Sequence, residues 1–249
     1  ASATTVKNVD YDGQTWMDRN LGARRVADAI NDVFSYGNYY QWGRPADGHE
    51  ITVWNGDTKT AGRGLADVTA DLAADDIPEH DNFITNSSGS DWLDSPATSG
   101  TPTLWATANQ GPCPANYHVP TNDEWTTADA AGFGSQAGTN GGKSTGWDNN
   151  TETYDSTLKL PSSGSRLRTN GTLFNQGTSG YYWSSTVSGT SASSLSFNST
   201  VALTNNRNRA SGAAVRCIKD GASTASTAPG IGTATAAGSA SATVAYTAP

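Results

Sequence analysis

Aromatic rings, rather than aliphatic side chains, must build the core of this chain. It carries eight Trp, nine Tyr and five Phe, while its apolar fraction is only 35% and its mean hydropathy −0.53. Each ring buries roughly 150–250 Å², so a few can anchor a fold that has little else to bury. Gly, Ser, Thr, Asn and Asp fill the gaps between them, which is turn chemistry rather than the chemistry of long helices. The expectation is a loop-rich fold of short elements.

Residues 1–10 read as a polar lead-in, followed by a short strand centred on Thr15, Trp16 and Met17. Phe34, Tyr36, Tyr39, Tyr40 and Trp42 are spaced for a short helix with an aromatic face. Residues 44–112 hold Pro, Gly and Asp clusters with isolated tryptophans at 54, 92 and 105. Tryptophans that frequent imply an ordered insertion, placed at 51–110, rather than a linker. Thr121 and Glu124 form a capping-box pattern that predicts a helix from Thr121 to about Ala131, stopped by Gly132. Short strands are predicted at Leu158–Leu160, Tyr182–Ser184, Leu195–Phe197 and Ala214–Ile218, each bounded by Gly, Ser or Asn. From Gly221 the composition turns to Ala, Ser, Thr and Gly. Residues 221–229 read as a linker, and 230–249 look like the first strands of a fibronectin-type or bacterial immunoglobulin-like module. Twenty residues cannot bury a core alone, so this segment is expected to pair with something else, including another copy of the chain.

The only cysteines, Cys113 and Cys217, stand at the edges of a block of about a hundred residues and suggest one covalently closed module. The net charge of −8 argues against nucleic acid, which needs clustered Lys and Arg, and against anionic membranes. No apolar run approaches a membrane span. The chain lacks an initiator Met and is expected to be a piece of a longer product. With its Ser/Thr/Gly-rich surface it fits an extracellular, cell-surface or virion-surface setting.

Six collinear segments, TWMDRNLGA (15–23), YYQWGRPADGH (39–49), CPANYHVPTNDEW (113–125), LKLPSSGSR (158–166), GTLFNQGTSGYYWSST (171–186) and AAVRCIKD (213–220), resemble the Fibrobacter succinogenes major paralogous domain family. The resemblance covers roughly residues 11–220. It implies an α+β, C-type-lectin-like domain over 1–220, related in shape to formylglycine-generating enzymes. It also implies that the first and last strands, Trp16–Asp18 and Val215–Ile218, lie together, and that Cys113 and Cys217 are bridged. Two free buried thiols are the alternative. With both cysteines structural, none is left for formylglycine chemistry, so that activity is not carried over.

Other chemistry finds little support. Asp18, Glu124 and Asp94 can be nominated as carboxylates for hydrolysis, but Glu124 has a capping role and Asp18 a neighbour in Arg19, so no catalytic residue is assigned. His49, His80 and His118 lack zinc-site spacing. Calcium is conceivable at the run Asp148, Asn149, Asn150, Glu152 and Asp155, although such residues also bond their own backbone in turns. No other cofactor is expected.

Binding is the stronger expectation. In lectin-like folds the segment before the last strand displays the ligand surface, which here means a loop at 186–208. Asn198, Asn205, Asn206, Arg207 and Asn208 supply hydrogen-bonding groups there, and Tyr181 and Tyr182 supply flat faces. The resemblance implies that the position of this segment matches that of the variable region of diversity-generating retroelement proteins, which use the same fold; a solvated loop with no partner is the plainer alternative. The leading expectation is therefore a non-catalytic module that binds a cell-surface glycan or protein. The second is a self-assembling subunit or decoration of a phage or cell-surface fibre, joined through residues 221–249.

Overall fold

The computed structural model describes residues 5–54, 65–94, 105, 111–132, 146–221, 235–236 and 242–243. The chain divides into two compact units, Ala1–Lys219 and Asp220–Pro249. In chain order the strands are β1 (Asn8–Tyr11), β2 (Gln14–Met17), β3 (Tyr40–Gln41), β4 (Val68–Thr69), β5 (Phe83–Ile84), β6 (Tyr117–His118), β7 (Ser165–Arg166) and β8 (Leu173–Phe174). They continue with β9 (Gly180–Ser188), β10 (Ser191–Phe197), β11 (Ala202–Asn208), β12 (Gly212–Ala213), β13 (Ile218–Lys219), β14 (Thr235–Ala236) and β15 (Ala242–Thr243). Two α-helices are seen among the described residues, α1 (Asn122–Ala130) and α2 (Asn150–Asp155).

The strands form small, mostly antiparallel sheets in the orders β1-β2-β13-β6, β3-β12-β7-β8 and β11-β10-β9, with β4 and β5 paired in parallel. The expected meeting of first and last strands is present. Ile218 faces Trp16 in register, and the amide of Met17 donates to the Cys217 carbonyl at 2.9 Å. Cys113 and Cys217 are joined by a disulfide across a sequence separation of 104 residues. In the second unit β14 and β15 pair antiparallel, so the tail contains strands; the expected linker at 221–229 lies, beyond Gly221, outside the described residues.

Two aromatic clusters form the centre. One gathers Trp16, Trp125, Trp147, Tyr182, Leu195 and Phe197; the other gathers Tyr40, Trp42, Trp105, Trp183 and the disulfide. The 51–110 insertion sends Trp54, Trp92 and Trp105 into the interior, while Ile51, Val68 and Ile77 stay exposed. The capping box is formed: Thr121 Oγ1 accepts from the Glu124 amide at 3.2 Å, and the Thr121 amide donates to Glu124 Oε2 at 2.7 Å. The helix ends where expected, its C-cap at Ala131 followed by Gly132.

Four local expectations need correction. The lead-in 1–10 contributes β1, because the turn at Asp12 and Gly13 adopts positive φ and folds it onto β2. The expected helix over Phe34–Trp42 is a single 3₁₀ turn, Val33–Ser35, followed by β3. Gly37 explains it: its φ is +75°, and a Cβ there would lie 2.4 Å from the Leu21 carbonyl, so the chain turns sharply and without a side chain. Leu158–Leu160 is not a strand, since Lys159 sits at φ +48° in a turn closed by its amide to the Ser156 carbonyl. The run Ala214–Ile218 is extended but leaves regular pairing, because Arg216 points into the core.

That arginine shows how a protein with so little regular structure satisfies its buried backbone. The Arg216 guanidinium donates to Asn20 Oδ1 and to the carbonyls of Met17 and Leu158. Arg166 donates to the carbonyls of Gly171, His49 and Ala66. Six indole N–H groups do the same, including Trp42 to Ser184, Trp183 to Tyr40 and Trp125 to Trp183. Most of these bonds link segments far apart in sequence, and each supplies a donor to a backbone or amide oxygen.

Two stability predictions follow from these ties. Replacing Cys113 and Cys217 together by Ser is expected to lower the unfolding free energy by about 2–5 kcal/mol, as expected for opening a loop of this size. Urea denaturation followed by tryptophan fluorescence reads this, and an unchanged midpoint would reject it. Arg216→Met keeps the volume but strands two carbonyls and an amide oxygen, and is expected to cost about 3 kcal/mol or more. A neutral result in the same assay would mean that these oxygens find other donors.

Candidate functional site

The sequence segment expected to display ligand folds as strands, not as a loop. Ser188 and Ser191 pair across a two-residue turn whose first residue, Gly189, has φ +57°, the geometry that matches strand twist. The second turn, 198–201, is organised by Asn198, whose Oδ1 accepts from the amides of Thr200 and Val201 at 2.8 and 3.2 Å. Asn198 is thus a turn former. β10 is the central strand and nearly all of it is buried; β11 is the outer one, with Asn205 and Asn206 exposed and Arg207 and Asn208 half-buried.

Strand register sorts the expected site residues between two faces. Leu195 faces Thr204 on one side and Tyr182 on the other, and this face packs into the first aromatic cluster. Tyr182 is therefore core and cannot stack on a ligand: it is fully buried, donates its hydroxyl to the Pro161 carbonyl at 2.7 Å and accepts from Asn20. Asn206 and Asn208 share this face, opposite Ser193 and Ser191. On the other face lie Tyr181, Trp183, Ser194, Ser196, Asn205 and Arg207. Trp183 and Ala192 anchor that face in the second cluster, while Tyr181 is half-buried at its margin.

On this second face Arg207 spans the central strand. Its guanidinium carbon lies 3.9 Å from the centre of the Tyr181 ring, two strands away. The residues it crosses are Ser194 and Ser196, small enough to let the long side chain pass. Both hydroxyls donate to Asn205 Oδ1 at 3.0 Å, which fixes the amide beside the arginine. Burial lowers the Arg207 pKa, and the neighbouring Tyr181 offsets part of that. The structure brings together Tyr181, Asn205 and Arg207; it does not bring Tyr182, Asn198, Asn206 or Asn208 to the same face.

The acidic run considered for calcium caps a helix. Asn149 caps α2, accepting from the Thr151 and Glu152 amides at 2.9 and 3.1 Å, and Glu152 Oε2 accepts from the Asp148 amide at 2.6 Å. Asn150 donates to the Thr178 carbonyl and Ser162 Oγ. Asn149, Glu152 and Asp155 line a cavity of about 670 Å³ with Tyr11, Trp147 and Ser199, a feature that sequence did not indicate. Of the nominated carboxylates, Asp18 forms a two-point pair with Arg19 at 2.7 and 2.9 Å. Glu124 bonds His118 at 3.0 Å besides its cap, while Asp94 is exposed.

Sequence reading missed one titratable cluster, Asp47, His49 and Glu50, whose spacing in a turn was its only signal. The groups converge, yet they do not fit a metal. The Gln41 amide donates to His49 Nε2 at 2.9 Å, so the ring proton sits on Nδ1 and is donated to Asp47 Oδ1 at 2.7 Å. No nitrogen lone pair remains for an ion. Asp47 also accepts from Arg44 at 2.7 Å. Burial, reinforced by Arg44 and Arg166 and opposed by Asp47, lowers the His49 pKa to about 4.

This sets a pH dependence. Below the ordinary histidine pKa of about 6.5 the unfolded chain takes up a proton that the folded chain refuses, so stability falls as pH drops, until the folded value near 4 is passed. The loss is expected to be about 3 kcal/mol over that window. The His49 ring signals in NMR are expected to stay at their neutral positions down to pH 5; titration with a midpoint above 6 would refute the buried neutral ring. A family profile described as a domain of unknown function (DUF8237) matches residues 143–218, which take in α2, the β9–β10–β11 sheet and the strands up to β13. No curated protein and no solved structure matches the chain.

Proposed function

We propose that residues 1–220 form a C-type-lectin-like, non-catalytic binding module of an extracellular protein, cell-surface or virion-borne. It engages a glycan or protein through the outer sheet β9–β10–β11. The single observation that carries this reading is the placement of β11. A strand bearing Asn205, Asn206 and Arg207 is held outward on a sheet whose central strand is buried on both faces. Ligand groups on such an element are held in place before binding, which lowers the cost of association. The disulfide and the absence, among the described residues, of a helix able to cross a membrane are compatible with an extracellular setting. The six motif segments add the lectin-like resemblance.

The test uses the whole chain, fluorescently labelled, on a glycan array and on intact cells. Arg207→Ala and Asn206→Ala together are expected to reduce binding at least tenfold; Asn206→Ala alone, at an exposed position, is expected to leave the melting temperature within about 2 °C, and the melting temperature of the double variant is measured alongside because Arg207 packs on Tyr181. Asn205 is left intact because two buried serines depend on it. Unchanged binding in the double variant would move the site away from this sheet.

A further inference from the structure

We infer that the cavity walled by β1, the end of α1, α2 and the β10–β11 turn binds a neutral saccharide of one or two rings. The cavity is separate from the Arg207 face: Tyr181, Asn205 and Arg207 do not line it. The inference therefore stands whether or not the outer sheet binds anything.

The first support is that the site is built. Its walls come from segments distant in sequence. Tyr11 ends β1, Gly132 follows α1, Asn149, Glu152 and Asp155 belong to α2 and its cap, and Ser199 lies in the β10–β11 turn. Hydrogen bonds tie these segments together. The Trp147 amide donates to Asp129 Oδ1 at 2.8 Å, the Gly146 amide to the Gly132 carbonyl at 3.1 Å, and the Asn150 amide to the Asn198 carbonyl at 2.7 Å. The volume of about 670 Å³ is that of a small-molecule site, and walls fixed in advance lower the cost of binding.

The second support is a pair of donors that the protein leaves unused at the inner wall. Trp147 is 1% exposed, and no acceptor stands in hydrogen-bond geometry with its indole N–H. The group it turns to is the Tyr11 hydroxyl, whose own proton has no acceptor among the described residues. Burial, with Asp12 and Asp129 nearby, raises the Tyr11 pKa to about 12, so the hydroxyl remains a donor. Gly132 lies along the same edge of the indole. A Cβ there would come within 2.5 Å of Nε1, so any side chain at 132 would close over the N–H. A buried donor left dry costs free energy, which a ligand oxygen, or a water that the ligand holds, recovers.

The third support is the contrast between that wall and the rim. Glu152 is half-buried and Asp155 exposed, and no Lys, Arg or His lines the cavity among the described residues. An anion is repelled by these carboxylates. A cation suits them but leaves the inner donors pointing at its charge, and among the described residues no third ligand converges with Glu152 and Asp155 to hold a metal ion. A hydrocarbon leaves both sets of polar groups dry. A sugar has hydroxyls that accept at the inner wall and donate at the rim, and a C–H surface that suits the aromatic part of the lining.

The test is titration of the whole ¹⁵N-labelled chain, followed through the indole N–H of Trp147 and the amides of Glu152 and Ser199. The neutral probes are the methyl glycosides of glucose, galactose and mannose, N-acetylglucosamine, cellobiose and lactose; glucuronate and choline are the charged ones. At least one neutral sugar is expected to shift all three signals, and glucuronate to bind at least tenfold more weakly than that sugar. Tyr11→Phe and Asp155→Ala are each expected to weaken the sugar at least tenfold, with the rest of the spectrum unchanged as the sign of an intact fold. The inference is overturned if no neutral sugar shifts these signals, if glucuronate binds as well, or if choline shifts them and the sugars do not. Sugar-induced shifts confined to β11, or shifts that survive both substitutions at full strength, would also overturn it.

Discussion

Buried carbonyl groups that no secondary structure reaches are the constraint on which this fold depends. Most of its strands are two residues long, so ladders satisfy only a fraction of the interior backbone. Side-chain N–H groups satisfy much of the rest. Arginines and tryptophans suit the task for the same reason: each combines a flat, weakly hydrated body that packs with donors fixed in its plane. Arg166 lies 4.1 Å from the Phe83 ring centre and Arg209 lies 4.8 Å from that of Trp42, while Arg166 donates to the His49 carbonyl and Arg209 to that of Gly189. The low aliphatic content and the abundance of tryptophan are therefore one fact. A Leu-rich core of equal volume would leave these oxygens unpaired, at about 1–3 kcal/mol each.

The same network sets the outer sheet in place. Trp42 and Trp125 donate to the carbonyls of Ser184 and Trp183 on β9, and Arg209 ties the β9–β10 turn to Asp91 in the insertion. The Asn122 amide at the start of α1 donates to Thr186 Oγ1, and Ser193 donates to the Asn122 side chain. β9 and β10 are thus fixed from several directions, and β11 is carried by them. The disulfide packs in the same cluster as Trp183 and Ala192, and Cys217 leads from there into β13 beside β2. The segment that displays polar side chains is rigid because its neighbours are tied down, although its own residues are small and polar.

What could be read from the sequence was what depends on local chemistry. The capping box at Thr121 and Glu124, the strand at Trp16 and the stop at Gly132 each need only neighbours in sequence, and each is found. The misreadings come from residues whose role is tertiary. Asn, Ser and Thr at 191–208 have the composition of a loop, yet they form strands because β10 is sandwiched between two aromatic clusters and tertiary burial overrides propensity. Tyr181 and Tyr182 look equivalent in sequence, but strand alternation sends one to the margin and the other into the core. Asp47, His49 and Glu50 converge through a turn that no periodicity announces.

Arg207 and Arg209 illustrate how one residue type acquires two roles in three positions of sequence. Both guanidinia rest on an aromatic ring, Tyr181 for the first and Trp42 for the second. Arg209 lies beyond the end of β11, where the chain turns back under the hairpin and meets Asp91, Gly189 and Ser191. Arg207 lies within β11, where the neighbouring backbone is already paired with β10 and the nearest side chains on its face are serines bonded to Asn205. The fold thus turns one arginine to distant backbone carbonyls and a carboxylate, and lays the other along its own sheet against Tyr181. The difference lies in which acceptors come within reach: Arg209 ties separate segments together, whereas Arg207 braces the two outer strands of one sheet across the strand between them.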